Sequence, residues 1–120
     1  MTLEERAART AELALSKKAE NVLSMDLRGL TSACDIFVIC TGTSDVQVKA
    51  IADAVKDGMT DDGEKPWHVE GTEGKRWILL DFIDVVVHVF NRETRDYYQL
   101  ERLWGDAKFE TFEDEPPDGE

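Results

Sequence analysis

The chain has 120 residues, of which 42% are hydrophobic and 33% are charged, a balance typical of one folded domain. Acidic residues outnumber basic ones 26 to 14, and the formal net charge is -12 at pH 7. This charge argues against a protein held to nucleic acid by its general field, which requires clustered Lys and Arg. The longest apolar runs are far shorter than the ~20 residues of a membrane span. The N-terminus is acidic where a secretory signal would be basic, and we expect a cytoplasmic protein with reduced cysteines.

The first half of the chain predicts two helices and two strands. Thr2-x-x-Glu5 matches a capping box, and alanines at helical spacing predict a helix over residues 3–19. A short strand follows and ends at Arg28-Gly29. The nearly continuous apolar run Cys34–Cys40 predicts a strand that is buried on both faces, at the centre of a sheet. Ser44 is a good N-cap for the second helix, with Gln47 at the capping-box position; Gly58 and residues 61–66 end that helix.

The second half predicts three more strands and a last helix. A strand over residues 67–70 completes a strand–helix–strand unit, which we expect to be a parallel, right-handed crossover. Residues 77–81 and 84–90 predict an antiparallel hairpin joined by Phe82-Ile83. Asn91 can cap a last helix, which Gly105 ends; its apolar residues at helical spacing are Tyr97, Leu100 and Trp104.

These elements predict a single α/β domain with a mixed sheet of about five strands flanked by helices. We place this domain at residues 1–107. Residues 110–120 contain six acidic residues, two prolines and no basic residue. We therefore predict a disordered acidic tail over residues 108–120.

The loop Thr41–Asp45 is the most suggestive candidate for a ligand site. A glycine after a central strand, with hydroxyl groups at a helix N-terminus, is where phosphates often bind. The loop has no lysine at the Walker position and no three-glycine fingerprint. Helix capping explains the same residues, so a nucleotide-binding enzyme that uses this loop remains the alternative.

Other candidates for catalysis are weaker. Asp81 and Asp84 could bind Mg²⁺, but their spacing places them on opposite faces of a regular strand, and Asp is common at hairpin bends. His88 is expected to be a core or half-buried histidine, and His68 an exposed one. No third metal ligand stands at a suitable spacing, and there is no nucleophile elbow. We therefore expect no enzymatic activity, no metal and no cofactor.

The aromatic residues are more informative. Trp77, Leu79 and Asp81 share one face of their strand, and Ile78 and Leu80 share the other. If the core takes Ile78 and Leu80, then Trp77 and Leu79 lie on a less protected face with the composition of a protein interface. The alternative is a sheet covered by helices on both faces, in which Trp77 is a core residue.

Three segments carry a resemblance to a known family. They are DIFVICTGTSDVQVKAIADAV, WILLDFIDVVVHVF and RDYYQLERLWGDA. Together they resemble the ribosomal silencing factor family, also called Iojap-like, from the first helix to Ala107. One departure is Phe82-Ile83, where many members have a glycine before the second Asp.

The resemblance implies an α/β fold related to nucleotidyltransferases but without their catalytic carboxylates. It also implies a homodimer in isolation and binding to the large ribosomal subunit through its protein number fourteen. The bound factor would block the small subunit from joining and lower translation, with a role in large-subunit maturation. On this basis we predict a protein interface, with at most peripheral contact to rRNA, formed by Lys75, Arg76, Trp77, Leu79, Asp81 and Asp84.

Overall fold

The computed structural model describes residues 1–32, 34–74, 76–93 and 107–113. The described residues form two helices and six strands: α1 Leu3–Leu15, β1 Glu20–Asp26, β2 Ile36–Gly42, α2 Asp45–Asp61, β3 His68–Glu70, β4 Trp77–Asp81, β5 Val85–Asn91 and β6 Lys108–Phe112. The predicted α/β class is confirmed. The last predicted helix, with Tyr97, Leu100 and Trp104, lies outside the described residues. No helix within the described ranges is long and apolar enough to cross a membrane.

All six strands belong to one mixed sheet in the order β3-β4-β5-β2-β1-β6. β2 and β5 pair in parallel, and every other neighbouring pair is antiparallel. Because two antiparallel steps separate β3 from β5, β3 runs parallel to β2, as the crossover prediction required. However, β4 and β5 lie between them. The carboxyl ends of β2 and β5 meet at one edge of the sheet, the position where many α/β sheets bind ligands.

Both helices begin where their caps predict. Thr2 and Glu5 form the capping box, with backbone-to-side-chain bonds of 2.7 and 3.1 Å. α1 ends four residues before the predicted Ala19, since Lys18 adopts a left-handed conformation with φ 65°. α2 continues through Gly58 and ends at Asp61.

The two helices pack on one face of the sheet and form the main core. Alternation along the strands sends every second side chain toward the helices, including Ile78 and Leu80 of β4, which are 0% and 1% exposed. The main core therefore takes Ile78 and Leu80, which is the condition that the sequence analysis set for placing Trp77 and Leu79 on the other face. α1 and α2 contribute apolar side chains to this core: Ala7, Ala11, Ala14, Val48, Ile51, Ala52, Val55 and Met59.

The other face of the sheet carries a second, smaller apolar cluster. Its buried members are Met25, Leu27, Cys34, Ile39, Val86, Phe90 and Ala107, and its partly buried members are Leu23, Phe37, Trp77 and Leu79. Neither α1 nor α2 contributes to it. Trp77 and Leu79, which are partly exposed, therefore lie on the face of the sheet opposite α1 and α2.

The structure corrects the prediction of a disordered tail at its first residues. Lys108–Phe112 form β6, which pairs antiparallel with β1 from Asp26↔Lys108 to Val22↔Phe112. The outer edge of β1 offers a row of backbone donors and acceptors, and exposed side chains such as Glu110 do not prevent pairing with it. Phe112 also packs against the main core. Disorder of the residues beyond Glu113 stays a prediction, because residues 114–120 are not described.

Candidate functional site

The candidate interface is centred on one row of β4. Trp77, Leu79 and Asp81, which we call the β4 row, alternate with core residues and are each partly exposed. They lie on the face of the sheet opposite α1 and α2. The structure thus brings together three of the six predicted interface residues.

Trp77 is held in place by two neighbours on β5. Its ring stacks on Phe90 with centroids 5.0 Å apart and an interplanar angle of 26°. Its Nε1–H donates to Nδ1 of His88 at 3.1 Å. Trp77 is therefore neither a buried core residue nor a side chain that extends freely into solvent.

His88 lies beneath this row and is only 4% exposed. Phe37 of β2 packs edge-on against its ring at 4.5 Å. Burial lowers the pKa of His88 from 6.5 to about 4, so the ring is neutral at neutral pH. Its Nε2 atom is buried and has no hydrogen-bond partner among the described residues.

The two aspartates of the hairpin point to different parts of the molecule. Asp81 belongs to the β4 row, and its Oδ1 accepts a bond of 2.7 Å from the backbone N–H of Ile83. Asp84 is exposed, and its Oδ2 lies 3.5 Å from Arg6 of α1, on the helix side. Within the described ranges no group of three or more His, Cys, Asp or Glu could hold a metal.

The hairpin turn has an unusual backbone. Ile83 is 62% exposed and has φ 75°, the left-handed region that favours glycine. Two hydrogen bonds hold this conformation. The Ile83 N–H donates to Asp81 Oδ1, and Arg6 Nη2 donates to the Phe82 carbonyl at 3.0 Å. The departure from the family pattern at Phe82-Ile83 therefore coincides with the strained residue of the turn.

The two basic residues of the predicted interface do not join the β4 row. Lys75 lies outside the described residues. Arg76 is exposed and faces a cavity of about 370 Å³ at the carboxyl ends of β2 and β5. The other residues that line this cavity are Thr43, Ser44, Asp45, Asn91, Arg92 and Glu93.

The loop Thr41–Asp45 caps α2, and Gln47 in the first turns of α2 links it to the residues that follow α1. Ser44 Oγ accepts a bond from the Gln47 N–H at 3.1 Å, as the N-cap prediction required. The Gln47 side chain, however, bonds Thr43, and its Nε2 donates to the carbonyls of Lys17 and Lys18 at 3.1 Å each. Of the hydroxyl groups that suggested a phosphate site, Thr43 thus donates to Gln47, and Ser44 accepts from it.

Sequence reasoning missed two residues that shape the site. It treated His88 as a core or half-buried histidine but did not connect it with Trp77, although a hairpin between residues 77–81 and 84–90 brings these two residues close together. It also gave no role to Arg6, which joins α1 to Glu64 at 2.6 Å and to the hairpin turn. Nothing in the spacing of α1 points to that contact.

Comparison with known proteins gives consistent matches over almost the whole chain. The model of the family described as "Ribosomal silencing factor during starvation" matches residues 1–119. The chain is 48% identical to the ribosomal silencing factor RsfS of Bacillus subtilis over 91 residues, which are 76% of this chain and 77% of that protein. It is 36% identical to the chloroplastic protein Iojap of Zea mays over 104 residues, 84% of this chain and 44% of that protein.

Solved structures agree in fold. The crystal structure of a protein from Chromobacterium violaceum superposes with a TM-score of 0.85 at 36% identity and covers 88% of each chain. A crystal structure from Bacillus halodurans superposes with a TM-score of 0.77 at 40% identity and covers 84% of this chain and 94% of that one.

Proposed function

The chain belongs to the ribosomal silencing factor family, and from this membership we propose that it represses translation by binding the large ribosomal subunit. The proposed contact is ribosomal protein number fourteen, and the bound factor would keep the small subunit from joining. The observation that carries the proposal is the family match over residues 1–119. A role in maturation of the large subunit is proposed with it.

The β4 row supports this proposal as the docking surface. Trp77 and Leu79 are partly exposed apolar side chains, and Asp81 adds a carboxylate beside them. Tryptophan is among the residues that dominate the energy of protein interfaces, and a basic ribosomal protein supplies Lys or Arg for the carboxylate. Because Trp77 is already held by Phe90 and His88, docking would order it at little further cost in entropy.

Asp84 and Arg76 stand apart from that central surface. Asp84 is paired with Arg6, so we propose that it contributes only from the rim of the interface. Arg76 faces the cavity beside α2, and together with Lys75 it offers a local basic spot for a neighbouring rRNA phosphate. These contacts affect the rate and orientation of docking more than its final affinity.

The net charge supports a protein partner. A charge of -12 is attracted to a basic ribosomal protein and repelled by bare RNA. Steric exclusion of the small subunit requires no chemical step, so we propose a cytoplasmic regulator that is not an enzyme and needs no cofactor. We also propose that the unbound protein is a homodimer.

The test is cosedimentation of the purified protein with separated ribosomal subunits on a sucrose gradient, followed by a subunit-joining assay on the same samples. We expect the protein to travel with the large subunit alone and the number of joined ribosomes to fall as it is added. If the protein stays at the top of the gradient at modest salt, the proposal is wrong.

The cavity beside α2 keeps the nucleotide-binding alternative open. It lies where the carboxyl ends of β2 and β5 meet, and Arg76 and Arg92 bring positive charge to it. Asp45 and Glu93 line the same cavity and oppose a bound phosphate. Calorimetric titration with nucleoside triphosphates and Mg²⁺ separates the two functions, because the ribosomal proposal predicts no heat of binding.

A further inference from the structure

The bond between Trp77 and His88 uses an indole donor in an unexpected way. Trp77 is partly exposed, so an indole N–H turned toward solvent would bond with water. Instead it donates inward, at 3.1 Å, to the Nδ1 atom of a side chain that is 4% exposed. The bond fixes the edge of the indole ring, and the stack on Phe90 supports one of its faces, so the two contacts together restrain its orientation.

By making this bond, His88 lowers the stability of the folded protein. Because Nδ1 accepts, the proton of the neutral ring sits on Nε2. Nε2 is buried and has no hydrogen-bond partner among the described residues, so the ring leaves one polar atom unsatisfied. A buried donor without an acceptor destabilises a protein, and such a group calls for a functional explanation.

An apolar side chain would serve the packing of this position better. His88 is surrounded by the rings of Phe37 at 4.5 Å, Trp77 at 5.9 Å and Phe90 at 6.0 Å. A leucine would fill the same space without burying polar nitrogens. What only the imidazole adds is the acceptor for the Trp77 indole.

We infer that His88 is a positioning residue, which holds the Trp77 indole in one orientation so that the β4 row can dock on the ribosomal protein. This inference rests on the proposed function. Fixing an anchor side chain before binding lowers the entropy lost on docking and so raises affinity without adding a contact. His88 itself, being buried, touches no partner.

The test compares two variants at position 88 in the full chain. His88→Leu removes the acceptor at similar volume, and His88→Asn restores an acceptor oxygen near the position of Nδ1. The orientation of Trp77 is read from its indole N–H resonance in ¹⁵N spectra, which is assigned by its loss in Trp77→Phe. We expect His88→Leu to shift this resonance and speed its exchange with water, and His88→Asn to reverse both changes in part.

Binding to the isolated large subunit is then measured for the same variants. We expect His88→Leu to weaken binding about tenfold while its melting temperature stays the same or rises. In a Trp77→Ala background, His88→Leu should have no further effect, because His88 acts only through Trp77. Equal weakening in both backgrounds would indicate a merely structural role and overturn the inference.

Two further outcomes separate this inference from the proposed function. If His88→Leu moves the indole resonance but binds as tightly as the wild type, the inference is wrong and the docking surface stands. If the wild type does not bind the large subunit, the proposed function is wrong. An indole resonance that does not move in His88→Leu would refute the positioning of Trp77 by His88, whether or not the protein binds ribosomes. Should His88→Leu fold poorly, His88→Met, which also lacks the acceptor, takes its place in the same measurements.

Discussion

Leu13 of α1 packs directly against the backbone of Gly58 in α2. A Cβ atom built on Gly58 would overlap both methyl groups of Leu13 and would lie 3.1 Å from its Cγ. The absence of a side chain at position 58 therefore sets how closely the two helices approach. Gly58 lowers the intrinsic helix propensity of α2, and the close packing of α1 compensates for it.

This contact predicts that Gly58→Ala reduces stability. Alanine improves helix propensity by about 1 kcal/mol, but forcing Leu13 to move costs roughly 1–3 kcal/mol. We expect a net loss of about 1 kcal/mol in the free energy of unfolding, measured by urea denaturation. In a Leu13→Ala background the overlap is gone, and the same change should stabilise the protein by about 1 kcal/mol. A stabilising effect in both backgrounds would contradict the packing argument.

The hairpin turn predicts a stabilising substitution. Ile83 has φ 75° and is 62% exposed, so Ile83→Gly relieves strain while losing little packing. The left-handed conformation costs a side chain about 1–2 kcal/mol, and the greater freedom of glycine in the unfolded chain offsets part of the gain. We expect the free energy of unfolding to rise by roughly 0.5–1 kcal/mol.

The matched control for Ile83→Gly is Val46→Gly. Val46 is 78% exposed and lies in the first turn of α2, where a helical backbone needs no glycine. This control should lower the melting temperature, whereas Ile83→Gly should raise it. If the two variants shift the melting temperature in the same direction, relief of backbone strain at position 83 does not explain the effect of Ile83→Gly.

The β4 row predicts a loss of ribosome binding without a loss of fold. Trp77→Ala should weaken binding to the large subunit by at least about 2 kcal/mol, the scale of an interface hot spot. The matched control is Phe109→Ala, since Phe109 is 44% exposed and lies on β6, at the opposite edge of the sheet from β4. Both affinities are measured by titration of labelled protein with large subunits. If a folded Trp77→Ala protein binds like the wild type, the β4 row is not the docking surface.

The burial of His88 predicts how stability depends on pH. Its pKa is about 4 in the folded protein and near 6.5 when unfolded, so between these values the unfolded chain binds a proton that the folded chain does not. The effect of His88 on the free energy of unfolding is therefore negligible well above pH 6.5. It lowers that free energy as pH drops from 6.5 to 4, by up to about 3 kcal/mol. Urea denaturation of the wild type and His88→Leu at several pH values measures this difference. Parallel pH profiles for the two proteins would show that His88 is not the source of this pH dependence.

Local features of the sequence determined the beginnings of the helices and the faces of the strands. The capping box at Thr2 and the N-cap at Ser44 each involve residues three positions apart, so the chain carries the whole interaction within one turn. Strand alternation in the same way assigns Ile78 and Leu80 to one face and Trp77 and Leu79 to the other. These relations hold wherever the elements pack, which is why they could be predicted.

Tertiary structure alone decided the relations between distant segments. β6 pairs with β1 across some ninety residues, and neither segment's composition specifies the other as its partner. The same holds for the Trp77–His88 bond, the Arg6 contacts and the fit of Leu13 on Gly58. Each depends on the free energy gained when particular surfaces are buried together, and that gain exists only once the sheet and both helices are in place.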